Sequence, residues 1–178
     1  MNLNDLGRLV YDKGDRTEAE RLYREALAIY PPQHAWRAAT VFNLGRVLED
    51  RQDYAGALQH YRDALERQRA QFGDDHEVVG VDLRQLGVVL HRQGRLTEAE
   101  DHLQQALDIF RKRLPENHRR LAEALVPLGA VLLDQGRPAA AEPLLREGLA
   151  IQEKAFGKED PRSREAARIL DRAIAAQR

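Results

Sequence analysis

Four Leu-Gly pairs punctuate this chain: Leu6-Gly7, Leu44-Gly45, Leu86-Gly87 and Leu128-Gly129. The glycines stand at 7, 45, 87 and 129, so the intervals are 38, 42 and 42. Other marks keep the same beat. Ala19, Ala57, Ala99 and Ala141 recur with the period, as do Ala26-Leu27, Ala64-Leu65, Ala106-Leu107 and Gly148-Leu149. A period of this length means stacked supersecondary units, because one such unit cannot bury its apolar face alone. This constraint outranks every other feature of the sequence.

Each unit reads as two amphipathic helices. In the first, Leu3, Leu6 and Val10 fall three and four apart; in the second, Ala19, Leu22, Tyr23, Ala26, Leu27 and Tyr30 do the same. Such intervals put one apolar stripe on each helix. Asp15 with Glu18 has the form of a capping box, and Gly14, Gly94 and Gly136 suit the left-handed turn that closes the first helix. Gln52 stands where the second unit should have that glycine. The glycines of the Leu-Gly pairs lie inside helices, where glycine costs about 1 kcal/mol against alanine. They imply a close helix approach, and the alanines at 19, 57, 99 and 141 are the expected opposing small residues.

Composition agrees. Aromatic residues are 6% of the 178, and Ala, Leu, Glu, Arg and Gln dominate, which favours helix over strand. The formal net charge is −1, so no global field draws the chain to nucleic acid or an anionic membrane. There is no cysteine, hence no thiolate chemistry, which fits a cytoplasmic protein. The opening MNLNDLGRLVYDKG has neither a basic segment nor a long apolar run, so no signal peptide is expected. The excess of arginine over lysine points to a GC-rich, bacterial genome.

The pattern Leu-Gly-x2-apolar, then Ala-x3-aromatic or Leu, then Ala-Leu closely resembles the tetratricopeptide repeat. The tryptophan place of that repeat holds Leu3, Val41, Leu83 and Leu125. Only the first unit closes with proline, in Tyr30-Pro31-Pro32. Later stops come at Phe72-Gly73, Leu114-Pro115 and Phe156-Gly157, about one helical turn further for each helix. Units of about 42 residues joined by FGDDH, LPENH and FGKED are similar to the kinesin light chain subtype, as found in bacterial proteins. The resemblance implies an all-α fold, a right-handed α-solenoid of about four units, 1–33, 34–75, 76–117 and 118–160. A capping helix at 161–178 follows, the whole forming one repeat domain.

Chemistry is scarce. His34, His76 and His118 lie 42 apart, with Asp160 in the fourth place. Equivalent residues of stacked units are about 8–10 Å apart and cannot share one metal ion, whose donors sit at about 2 Å. A role near the start of each first helix is expected instead. His76-Glu77 begins like a zinc protease motif, but Gly80 stands where the second histidine belongs. No nucleophile accompanies a histidine base, and carboxylates alternate with arginines as on solvated faces. No catalytic residue, metal or cofactor is assigned, and an enzyme is not expected. Pro127 and Pro143 should loosen their helices.

The resemblance implies that first helices line a concave groove. Carried over residue by residue, that groove comprises Asn4, Arg8, Tyr11, Phe42, Asn43, Arg46, Arg84, Gln85, Val88 and His91. A protein or peptide partner is expected there, with a mildly acidic segment and an apolar anchor suiting Arg8, Arg46, Tyr11 and Phe42. No nucleic acid or membrane partner is expected. The alternatives are a structural module that self-associates through its amino end, which lacks a polar cap, and the sensory tail of a larger bacterial signalling protein.

Overall fold

A computed structural model describes all residues, Met1–Arg178. The chain is all-α, nine helices falling into two compact units, Met1–Asp74 and Asp75–Arg178. The first unit holds α1 (Leu3–Asp12), α2 (Arg16–Ile29), α3 (Arg37–Asp50) and α4 (Tyr54–Phe72). Here α1 pairs with α2, α3 with α4, and α2 and α1 both rest on α3. The second unit holds α5 (Glu77–Arg92), α6 (Leu96–Arg113), α7 (Arg119–Asp134), α8 (Pro138–Phe156) and α9 (Pro161–Ala175). Hairpins α5–α6 and α7–α8 stack on one another, and α9 closes against α7 and α8.

Local chemistry sets the helix ends. Asp15 accepts from the Glu18 amide at 3.0 Å, and Asp53 accepts from the Gly56 amide at 2.9 Å, each opening a second helix. The hairpin turns place Gly14, Gly94 and Gly136 at φ of +97°, +73° and +74°. Gln52 takes the same left-handed turn at φ +63°, a conformation that costs a residue with a Cβ about 1–2 kcal/mol. The first unit's opening helices have 10 and 14 residues, against 16 and 18 in α5 and α6, so the longer period does lengthen both helices. Helix α7 runs unbroken through Pro127, and α8 through Pro143.

The 42-residue histidines act on the backbone. His76 is the N-cap of α5 and accepts from the Val78 amide at 3.3 Å. His118 does the same for α7 with the Arg120 amide, and Asp160 for α9 with the Arg162 amide at 2.9 Å. His34 accepts from Trp36 N–H at 3.2 Å and stacks on the Tyr30 ring, centroids 4.2 Å apart. One orphan amide at the start of α5, of α7 and of α9 thus gains a local acceptor, whereas α3 opens at Trp36 with no side-chain cap.

The packing of the Leu-Gly glycines differs from the alanine-against-glycine contact expected above. A Cβ on Gly7 would lie 2.6 Å from the Tyr23 ring, and one on Gly45 2.8 Å from the Tyr61 ring. On Gly87 and Gly129 it would lie 2.5 and 2.6 Å from Cγ of Leu103 and Leu145. The opposing residue is the large one a turn beyond the alanine. Ala99 and Ala141 offer only their carbonyl oxygens, at 3.1 and 3.4 Å. The helix crossing sets a ring or an isobutyl group over the bare glycine backbone. Tyr11, Ala19, Tyr23, Leu44 and Val47 form one core cluster of the first unit, with Val10 and Leu27 at its edge.

Candidate functional site

The first helices α1 and α3 stand side by side in the first unit, so residues expected to line a groove meet across them. Asn4 and Asn43 are 4% and 8% exposed. Asn4 Oδ1 accepts from Asn43 Nδ2 at 3.0 Å and from Thr40 Oγ1 at 3.2 Å. These amides are engaged in tying α1 to α3, where an unpaired buried amide would be costly.

Tyr11 anchors the other end of the same helix pair. Its hydroxyl donates to Asp50 Oδ2 at 2.8 Å. The guanidinium of Arg16 lies 4.1 Å from the ring centroid and that of Arg46 4.3 Å from it. Both contacts are cation–π in geometry. Arg16 also pairs with Asp50 and donates to the Tyr11 carbonyl at 2.6 Å. Burial, and then the bond to Asp50, hold the Tyr11 phenol above its ordinary range. Phe42 is half-buried, its ring tilted 47° to Tyr61 at 5.2 Å. Arg8 is exposed, and neither it nor Arg46 has a carboxylate within ion-pair distance. Two guanidinium groups and one aromatic ring therefore stand on a face whose amides are already engaged.

In the second unit the equivalent helices are α5, α7 and α9. His91 Nε2 lies 2.8 Å from Asp134 Oδ2, and Arg172 approaches the other oxygen of Asp134 at 3.4 Å. This linkage repeats the Tyr11–Asp50 bond at matching places of the repeat. Arg84 sits 4.0 Å from Glu123, while Gln85 and Val88 are half-buried. No three His, Asp or Glu side chains converge as a metal-binding group.

Sequence periodicity missed two polar groups. Asp82 is 1% exposed and its Oδ2 has no hydrogen-bond partner. Burial pushes its carboxyl up to about 8 against the pull of Arg84. The signal lay in the alignment of units, where Asp82 stands at the place of Thr40, Ala124 and Ala166. The second is Tyr23, whose hydroxyl is buried with no partner. Nothing in its spacing distinguishes it from Tyr61, which has one.

Comparison with known proteins follows the geometry. The sequence profile of the tetratricopeptide repeat matches residues 36–112 and 82–154, and a second profile of the same repeat matches 3–30. No curated protein matches the sequence. Among solved structures, a Podospora anserina protein of the kinesin light chain type, with nearly identical TPR-like repeats, is similar at TM-score 0.78 and 22% identity. The alignment covers 98% of this chain and 84% of that one. BtubC (BKLC) of P. vanneervenii aligns at TM-score 0.74 and 21% identity over 98% and 75% of the two chains. The apo form of RapI aligns at 0.78 and 18%, over 98% and 68%. At these identities the likeness is one of fold, a helical-repeat array that includes the long-unit kinesin light chain form.

Proposed function

The chain belongs to the tetratricopeptide repeat family, and from that premise we propose that it is a non-enzymatic adaptor binding a peptide segment of a partner protein on the α1–α3 face. Folds of this family generally mediate protein–protein contacts and are generally non-catalytic. No helix is long and apolar enough to cross a membrane.

The observation that carries the proposal is the pair Arg8 and Arg46, cationic and without carboxylate partners, beside the half-exposed ring of Phe42. Cations without carboxylate partners, on a face whose amides are already engaged with each other, suit an acidic residue of a ligand, and Phe42 suits an apolar neighbour of that residue. Arg84, Gln85, Val88 and His91 form the equivalent face of the second unit. There Arg84 and His91 already meet Glu123 and Asp134, so we assign the principal contacts to the first unit.

Displayed-peptide selection against the full chain tests this. Selected peptides should be enriched in Asp or Glu beside an aliphatic or aromatic residue. Arg46→Glu with Arg8→Glu should weaken them about tenfold or more, while Arg111→Glu, outside this face, should not. Binders indifferent to the double substitution would remove the proposal. Asn43 is left intact, because its loss would loosen α1 from α3.

A second reading has its own observation. Leu9 is 46% exposed, whereas Val47, Val89, Val131 and Ala173, its equivalents, are fully buried. That apolar edge of α1 favours self-association. Sedimentation of wild type against Leu9→Glu decides it, since a concentration-independent monomer in both removes the reading.

A further inference from the structure

Two of the loops between hairpins carry proline just past the helix they end. Pro31 follows α2 and Pro115 follows α6. Proline has no N–H, so the carbonyl four residues before it loses its helical donor. Those carbonyls belong to Leu27 and Arg111. At the ends of α4 and α8 the donor is present: the Gly73 and Gly157 amides donate to the Arg69 and Glu153 carbonyls, both at 2.9 Å.

In the first unit two arginines make good the loss. Arg37 Nη1 donates to the Leu27 carbonyl at 2.9 Å and to that of Tyr30 at 2.6 Å. Arg67 Nη1 donates to the Pro32 carbonyl at 3.1 Å, while its Nε donates to Asp63 at 2.7 Å. Counted from the proline, the second unit keeps the acceptors and lacks the donors. Arg111, Leu114 and Glu116 stand at the places of Leu27, Tyr30 and Pro32, and Glu147 stands at that of Asp63. Leu121, however, replaces Arg37, and Ile151 replaces Arg67. A cleft of about 530 Å³ lies there, lined by these two side chains with Leu114 and Ala150. Glu116 and Glu147 line it too; Glu147 pairs with Arg111 at 2.8 Å, and Glu116 has no cationic partner.

We propose that this cleft binds an arginine side chain of a partner polypeptide, which takes in the second unit the place that Arg37 and Arg67 take in the first. Its aliphatic stem lies on Leu121 and Ile151, as long cationic side chains do on apolar surface. Its guanidinium meets the carbonyls that Pro115 and Leu121 leave without donors, and the Glu116 and Glu147 carboxylates supply the counter-charge. Three carbonyls and two carboxylates outnumber the three hydrogens of an ammonium and suit the five of a guanidinium, so arginine is preferred to lysine. Arg111 is engaged with Glu147, which leaves no free cation for an α-carboxylate. The site therefore takes a chain-internal arginine in preference to the free amino acid. It is built from second helices and a loop, offers acceptors where the α1–α3 face offers cations, and stands whether or not that face binds peptide.

The experiment is a titration of full-length protein carrying isoleucine labelled with carbon-13 at the δ1 methyl, with the Ile151 signal identified by Ile151→Val. The probes are N-acetylarginine methylamide, the matching lysine derivative and free arginine. The Ile151 signal should move saturably with the arginine amide in the millimolar range and about tenfold more weakly with the lysine amide. Free arginine should bind no more tightly than the amide, and the Ile29 signal of the first unit should stay still. Glu147→Gln, at the rim, should weaken binding about threefold. Ala150→Trp, at an exposed position, sets a ring in the mouth of the cleft and should abolish the shift.

An Ile151 signal unmoved by the arginine amide at ~100 mM, a concentration that saturates millimolar sites, overturns the site. So does a shift that persists in an Ala150→Trp protein with the wild-type melting curve. Unchanged affinity in Glu147→Gln, which keeps every apolar contact, counts against it in the same way. Equal response to the lysine amide removes the recognition of guanidinium, and tighter binding of free arginine removes the polypeptide partner.

Discussion

Gly87 and Leu103 touch so closely that a Cβ on the glycine would come within 2.5 Å of the leucine Cγ and 3.1 Å of the Ala99 carbonyl oxygen. The close approach lets α5 and α6 bury Leu83, Leu86, Leu90, Leu103 and Leu107 almost completely. Alanine at 87 gains about 1 kcal/mol in helix propensity but must push a branched carbon and a backbone carbonyl apart, and overpacking costs about 1–3 kcal/mol or more. Gly87→Ala is expected to be net destabilising by about 1–2 kcal/mol, measured by urea unfolding. A more stable Gly87→Ala protein would show that the helices can move apart cheaply.

The turn at Gln52 offers the opposite change. Gly14, Gly94 and Gly136 hold the equivalent left-handed turns, and Gln52 holds its own at φ +63°. Gln52→Gly should raise stability by about 1 kcal/mol, the strain relieved less the added freedom of the unfolded chain. Thermal unfolding of the single variant checks this, with an unchanged or lower midpoint as the contrary outcome.

Asp82 predicts a dependence on pH. Its carboxyl stands at about 8 in the folded chain against 3.8 in the unfolded one. Between those values the unfolded state has released a proton that the folded state keeps, so stability declines as pH rises from about 4 to about 8. The span corresponds to a few kcal/mol at about 1.4 kcal/mol per pKa unit. Asp82→Asn should flatten that decline and stabilise the protein most above pH 8. Asp160, held at about 2 by its bonds to Arg162, acts in the other sense: its contribution is present above 3.8 and is lost as pH falls toward 2. Urea unfolding of wild type and Asp82→Asn at pH 5, 7 and 9 separates the two, and parallel curves would contradict the assignment to Asp82.

The helix caps allow a graded test. Asp160 caps α9 at 2.9 Å, whereas His76 and His118 cap α5 and α7 at 3.3 Å. An aspartate in their place accepts more strongly and adds a negative charge at a helix N-terminus. His76→Asp and His118→Asp should each stabilise the protein by about 0.5–1 kcal/mol at neutral pH. Alanine at either position should cost a similar amount. Calorimetric midpoints that leave aspartate and alanine indistinguishable would remove the histidines' capping role.

Much of the architecture was legible because it is written locally. Helix stripes repeat every three or four residues, Asp15 caps a helix it adjoins, and the stops at Phe72, Leu114 and Phe156 lie beside the helices they end. The candidate face was legible in outline only. Tyr11, Phe42 and Arg46 were picked out by position, but nothing local said that Asn4 and Asn43 would bond to each other, or that Arg46 would lie over Tyr11. Those relations join residues about 35–40 positions apart, and they follow from how far one helix turns against the next.

The amino-acid sequence by itself determined the period, the hairpins, the caps and the turns, because each depends on neighbours within a few positions along the chain. Only the tertiary structure decided that Gly7 faces Tyr23 and not Ala19, that the Tyr23 hydroxyl lacks the acceptor its twin finds in Glu49, and that Asp82 is enclosed. The crossing and rotation of packed helices choose which side chains meet. Those choices are collective outcomes of filling the core, invisible in any one helix taken alone.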